Sequence, residues 1–437
     1  MTTKLRRAAS VTAAIAVVSI ALSGCAATPE TSSGPTEIAS SGPAEIEFWT
    51  MPFASLKPGQ ILALVNEFND SQDEVNVSLT LLEWSDGRDK IRQAVSAGNA
   101  PEVFLAAPLD LAYVDAGLLS SASELGYTQA EIDAFGPVTE AATIDGELYA
   151  FPLSVYADVL YVNMSVLDRY GHSIPTNWDE LYETSLDITT KSTAEGNKVY
   201  GFQVKGMDDH ANAINHSWPM FFEGAGGDLV SADGQSSTQN TPAGIAALEY
   251  LKQFYDNGVV DAGVSAQNGF IEGDVAMFAF SQGLLSVIGS SALQDEWTIA
   301  LLPDGPERPM SYIGPDALVA TAGAENPDAV GTFMKWITSP KNTALYMQTG
   351  GVQPYKFDAL PAEVLADVEA QIAERPLLKV VYEALEVGSY EVTKNESIGQ
   401  AARWAAQKTY IVAALTGQTS FEDALAQIDL AINQAIR

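Results

Sequence analysis

From residue 45 onward the hydrophobic and polar positions fall into short alternating runs separated by helical ones. Glu45-Ile46-Glu47-Phe48-Trp49 has the period of two that predicts a strand. Pro58 then opens a segment with Ile61, Leu62, Val65 and Phe68 on one face, the spacing of an amphipathic helix with proline in its first turn. Val75 to Leu82 alternates again, Arg88 to Ala97 predicts a short helix stopped by Gly98, and Pro101 to Ala106 predicts a third strand. Strand, helix, strand, helix, strand implies right-handed crossovers and a parallel sheet. At the far end Phe421, Leu425, Ile428 and Ile432 recur at helical spacing and predict a helix that packs into a core.

In open sheets of this kind ligands bind beyond the carboxyl ends of the strands. Trp49 ends the first strand, Trp84 and Asp86 follow the second, and Asp110 follows the third. Two indoles and two carboxylates on one rim suit a sugar. An indole face covers the apolar C–H face of a pyranose, and a carboxylate accepts charge-assisted hydrogen bonds from neighbouring hydroxyls. The plainer alternative makes Trp49 a core residue and Asp86 and Asp110 helix caps.

The beginning of the chain reads as an address. Lys4, Arg6 and Arg7 precede an uncharged apolar stretch from Ala8 to Leu22, short for a spanning helix and suited to a signal peptide. It closes on Leu22-Ser23-Gly24-Cys25, which resembles the bacterial lipobox and carries the only cysteine of the chain. Residues 1–24 are therefore expected to be removed and Cys25 to be lipidated. Residues 26–44 contain the repeat Ser32-Ser33-Gly34-Pro35 and Ser40-Ser41-Gly42-Pro43, too rich in Ser, Gly and Pro to bury a core. They predict a flexible tether with a reach of roughly 25 Å. The folded part is then expected outside the cytoplasmic membrane, held to its outer face by the lipid alone.

Composition narrows the function. The 437 residues allow more than one domain, and 22 basic against 56 acidic side chains give a formal net charge of −34. Nucleic acid is excluded as a main partner, because phosphate binding needs clustered positive charge. A lone cysteine and three histidines (His172, His210, His216) leave little for a metal centre, and no metal or cofactor is expected. His210 and His216, near Asp208 and Asp209, fall on different helix faces. Gly224-Ala225-Gly226-Gly227 lacks the flanking strand and helix of a dinucleotide fingerprint, and no Gly-x-Ser-x-Gly elbow occurs.

A series of motifs carries a resemblance. They are Gly98-Asn99-Ala100-Pro101-Glu102-Val103-Phe104, Gly146-Glu147-Leu148-Tyr149-Ala150-Phe151-Pro152, Leu160-Tyr161-Val162-Asn163 and Pro175-Thr176-Asn177-Trp178-Asp179. Gly273-Asp274-Val275-Ala276-Met277, Leu302-Pro303-Asp304-Gly305-Pro306 and Ala414-Leu415-Thr416-Gly417 follow in order. Over residues 45–437 this order resembles the extracellular solute-binding proteins of ABC sugar importers, the group typified by maltose-binding protein. The resemblance implies an α/β fold of two lobes, each a mostly parallel sheet flanked by helices, with the ligand in a hinged cleft. Residues 45–154 and 305–373 would form the first lobe, residues 155–304 and 374–437 the second. Thr176 and Asp179 would form a capping box at a helix start.

Carried across, the family's site falls on few positions. Tyr156 follows the Phe151-Pro152 motif at a place that often touches sugar. Trp218 matches a stacking aromatic, with Asn215 beside it, and replacing Trp218 with Ala is expected to weaken binding while leaving the fold intact. Gln282 stands where many relatives carry an aromatic platform. Trp404 matches another stacking position, or is a helix-core residue, since Ala401, Ala405 and Lys408 share its face. The resemblance implies a monomer that captures a neutral mono- or oligosaccharide and delivers it to membrane permease subunits, making and breaking no bond. No Walker A motif occurs, so ATP hydrolysis would fall to another subunit. A peptide, polyamine or phosphate ester as cargo, a tethered glycoside hydrolase and a ligand-free adhesin remain open alternatives.

Overall fold

The computed structural model describes residues 42–53, 56–106, 109–206, 214–293, 296–310, 312–388, 395 and 397–436. The lipobox cysteine, the tether up to Ser41 and His210 lie outside them. Gly42 to Arg437 forms one compact unit.

The expected opening is present. Strand β1 (Ala44–Thr50), helix α1 (Pro58–Ser71), β2 (Val75–Leu81), α2 (Gly87–Ala97) and β3 (Val103–Ala106) follow one another. Pro58 stands at the start of α1 and Gly98 closes α2 at φ +72°, a left-handed turn that glycine adopts without strain. β1 pairs in parallel with β2 and with β3, as crossover helices require.

The chain then makes the small hairpin β4 (Thr143–Ile144) and β5 (Glu147–Leu148) and enters β6 (Phe151–Asn163), 13 residues long and buried throughout. Helices α3 (Trp178–Ala194) and α4 (Ile214–Gly224) come next, then β7 (Met277–Ser281), β8 (Trp297–Ala300) and β9 (Ile313–Ala320). Helices α5 (Pro376–Val387), α6 (Gln400–Leu415) and α7 (Phe421–Ala435) complete the chain. The main sheet runs β2-β1-β3-β9-β6-β7, with β8 also on β6. Its parallel part is β2-β1-β3. β9 joins β3 antiparallel, and β6 pairs antiparallel with β9, β7 and β8. β6 is reached from β5 without a crossover helix, so nothing compels a parallel partner. Parallel bridges Tyr200–Val275 and Gln203–Phe278 extend the β7 edge.

Two large cores flank this sheet. The first gathers Ile46, Phe48, Phe68, Phe104, Leu153, Leu318 and Phe333. The second gathers Tyr156, Leu160, Trp218, Phe221, Phe254, Ile411 and Ile428. Core membership changes within β6, at Ser154. Beyond that point alternate residues serve opposite faces. Tyr156, Leu160 and Val162 enter the second core, while Val155, Val159 and Tyr161 enter a smaller cluster with Phe278. On α7, Leu425, Ile428 and Ile432 are buried as their spacing foretold.

The capping box lies one residue from where the sequence suggested. Asn177 is the cap of α3, its Oδ1 accepting the Glu180 amide at 3.0 Å. Glu180 reaches back to accept from the Thr176 amide at 2.8 Å and its hydroxyl at 2.9 Å, and these bonds hold its carboxyl below the ordinary range. Asn177 competes successfully because its short amide is as good a cap as a threonine hydroxyl.

Candidate functional site

The loops beyond the carboxyl ends of β1 and β2 are tied together. The Trp84 indole N–H donates to the Pro52 carbonyl at 2.9 Å, and the ring is 38% exposed. One turn on, at the start of α2, the Arg88 guanidinium lies 5.0 Å from the Trp84 ring centre. The same guanidinium lies 4.1 Å from the ring of Trp404, on α6. Pro52, which holds Trp84, lies between Met51 and Phe53 of the first core, and α6 packs into the second through Ala406 and Ile411, so one cation touches an indole carried by a segment of each. The Trp404 ring is half-buried, and its N–H has no hydrogen-bond partner among the described residues.

The neighbouring loop closes on the same edge. Asp110 caps the helix Leu111–Asp115 by accepting the Ala112 amide at 3.1 Å, as the alternative reading held. Burial pushes its carboxyl up, opposed by that bond and by the charge of Arg92. The Leu111 amide donates to the Ser397 carbonyl at 3.4 Å, and Gln400, in the first turn of α6, donates to the Leu109 carbonyl at 3.4 Å. Asp86 points to solvent: it makes no cap bond and pairs with Lys90 at 2.9 Å. Trp49 is half-buried against the first core.

A second polar group surrounds β6. The Tyr156 ring stacks on Tyr312 at 6.1 Å, and the His216 ring lies 4.3 Å from Tyr312 and 5.0 Å from Phe280. His216 Nδ1 stands 3.4 Å from Asp158 Oδ1, while Oδ2 is buried without a partner among the described residues. Burial pushes the Asp158 carboxyl up, and His216 pulls it back. Asn215, next to His216 in α4, is buried, and its Oδ1 has no partner among the described residues. Lys205 Nζ lies 3.4 Å from Gln267 Oε1 and 5.2 Å from the Phe280 ring centre.

Two expected ligand residues have other work. Trp218 is 0% exposed, stacks on Phe222 at 5.4 Å and donates its indole N–H to Gln239 Oε1 at 2.6 Å. Every face of that ring is used in packing, so it presents no platform. Gln282 accepts from the Ala157 amide and donates to the Val155 carbonyl, so both ends of its amide bind the β6 backbone. The structure therefore brings Trp84 and Trp404 to one guanidinium, sets Asp110 in a loop bonded to the start of α6, and places Tyr156 and Asn215 in a separate group. Arg88 went unread because a basic side chain in the first turn of a helix looks like a solvated charge. Its spacing of four from Trp84 was the available signal. Among the described residues no group of three or more His, Cys, Asp or Glu side chains could hold a metal.

A helix-flanked α/β sheet serving two large cores frames these groups. The chain belongs to the bacterial extracellular solute-binding protein family, whose model matches residues 63–373. It is 25% identical to the diacetylchitobiose binding protein DasA of Streptomyces coelicolor over 70% of this chain and 72% of that one. It is 23% identical to the maltodextrin-binding protein MdxE of Bacillus subtilis over 82% and 83% of the two chains. Among solved structures, a sugar transporter from Arthrobacter chlorophenolicus with bound laminaribiose superposes with a TM-score of 0.76. That match covers 90% of this chain and 100% of the other at 19% identity. No helix among the described residues is long and apolar enough to cross a membrane.

Proposed function

We propose that this protein captures a neutral mono- or oligosaccharide in a cleft between two lobes and delivers it to the permease of an ABC importer. The observation that carries the reading is that Trp84, beside a loop of the first core, and Trp404, on a helix of the second, both face Arg88. Indoles supplied from opposite sides can enclose the two apolar faces of a sugar ring only when the sides come together. Binding and closure are then one event, since a ligand shifts a conformational equilibrium by the difference in its affinity for the two states. Asp110 and Asn215 offer acceptors for hydroxyls, and the Trp404 N–H offers a donor. The relatives that bind diacetylchitobiose and maltodextrin support a saccharide cargo.

The lobes of this reading are residues 45–154 with 305–373 and residues 155–304 with 374–437. The change of core membership at Ser154 supports the first boundary. Cys25, lipidated after removal of residues 1–24, tethers the protein to the outer face of the cytoplasmic membrane, where it acts as a monomer. The closed form is what the permease recognises, and the chain itself makes and breaks no bond.

The test is a thermal-shift screen against neutral oligosaccharides, with polyamines and peptides as controls, and chromatography of each sugar afterwards. Stabilisation by one sugar family, absent in the W404A variant and with the sugar recovered intact, is the expected result. Stabilisation by the controls alone would overturn the cargo, and a cleaved sugar would overturn the role.

A further inference from the structure

The slot between Trp84 and Trp404 is filled by the protein's own side chain. Arg88 Cζ stands within cation–π distance of both rings, 5.0 Å from one and 4.1 Å from the other. Both indoles are anchored independently of it. Trp84 is fixed by its bond to the Pro52 carbonyl, at the loop that follows β1. Trp404 rides on α6, whose neighbouring Arg403 is fully buried and donates to the carbonyls of Leu229, Asn395 and Ile398 at 3.4, 3.4 and 3.1 Å. The guanidinium is planar, so it is a flat body able to stack on an indole, much as a sugar presents a flat C–H face.

We propose that Arg88 sets the affinity of the site: its guanidinium occupies the stacking slot and ties together segments that serve the two cores, and the ligand must displace it. The Leu111–Ser397 and Gln400–Leu109 bonds, both at 3.4 Å, join the same two segments at this edge. A protein held partly in an incompetent state binds its ligand more weakly by the fraction held, so the tie lowers the apparent affinity by its own equilibrium constant. The displacement rests on the saccharide reading above. The tie does not.

The tie is tested without ligand, by hydrogen exchange on the full chain and its R88Q, R88A and R88K variants. R88Q and R88A should speed exchange of the amides in segments 109–116 and 397–404 about tenfold, the size expected for two lost cation–π contacts. R88K, which keeps the charge without the plane, should fall between. Amides of Val159 to Val162 on β6 report whether the fold survives, and R88Q, which keeps most of the stem, serves if R88A does not fold. Unchanged exchange in segments 109–116 and 397–404 of R88Q and R88K would overturn the tie. Calorimetry with maltotriose, laminaribiose and diacetylchitobiose tests displacement. R88Q should bind the accepted sugar about tenfold tighter than the unaltered chain, by the same linkage, and weaker binding would overturn displacement. Binding of none of the three by either protein counts against the saccharide reading, with the exchange data still deciding the tie.

Discussion

The side chain of Gln282 completes the backbone of Ala157: its Oε1 accepts the Ala157 amide at 2.7 Å while its Nε2 donates to the Val155 carbonyl at 3.0 Å. One amide thus satisfies two buried main-chain groups just past the point where β6 passes from one core to the next. Replacing it with Leu keeps the bulk and strands both groups. Q282L should lose about 2–4 kcal/mol of stability, since each orphaned buried group costs about 1–3 kcal/mol. Urea denaturation measures it, and a loss below about 0.5 kcal/mol, the scatter of an ordinary surface change, would refute the role.

Trp218 should behave as a core residue. W218A removes a fully buried indole and the donor to Gln239, and a loss of about 3–5 kcal/mol is expected on unfolding. This differs from the expectation of an intact fold with weakened binding. Near-unchanged stability together with lost ligand affinity would restore that earlier reading.

Asp158 should give the acid limb of the stability profile a recognisable slope. Burial raises its carboxyl pKa in the folded chain, against a partial pull from His216. The folded state therefore holds this proton more tightly than the unfolded chain does. The contribution is fully present below the ordinary aspartate range and is lost as pH rises through the raised folded value. Denaturation midpoints of D158N, measured from pH 4 to 7, should gain on those of the unaltered protein as pH rises. A constant difference across that interval would show that the carboxyl titrates normally.

Two glycines offer a matched pair. A Cβ on Gly305 would lie 2.3 Å from the Gly224 carbonyl oxygen, backbone against backbone, where the segment before β9 crosses the end of α4. G305A should cost about 1–3 kcal/mol, the usual penalty for overpacking. A Cβ on Gly59 in α1 meets nothing within 4 Å. G59A should instead add about 0.4–1 kcal/mol by reducing the freedom of the unfolded chain. Equal effects at the two sites, read by thermal melting, would contradict the packing described.

The parts of the structure readable in sequence were those set by local periodicity. β1, α1, β2, α2 and β3 repeat the apolar spacing of a parallel α/β run, and their paired geometry follows from the crossovers. The pairing of β9 with β3 was not readable, since no local pattern shows which distant strand fills an edge. The same division runs through the site. Trp84 and Trp404 could be named one by one, from a strand end and from a family position. That both face Arg88 depends on how α2 and α6 are brought together. Trp218 and Gln282 are of residue types that serve binding and packing equally well. Gln239 for the first, and the β6 backbone for the second, are the partners that decide, and they lie far away in sequence.

β6 belongs to more than one body of the molecule at once. Phe151 and Leu153 are embedded in the first core, Leu160 and Val162 in the second, with a register shift between Pro152 and Ser154 marking the passage. No slack linker separates the halves at this point. A protease has no exposed thread to cut there, and an engineer has no seam at which to divide the gene. Two half-proteins split at Ser154 would each carry a torn strand whose β9 partner also spans the division. Motion between the two ends of β6 is then taken up within a continuous, hydrogen-bonded ribbon. Such a ribbon resists sliding and stretching, and leaves bending about its own width as the soft direction.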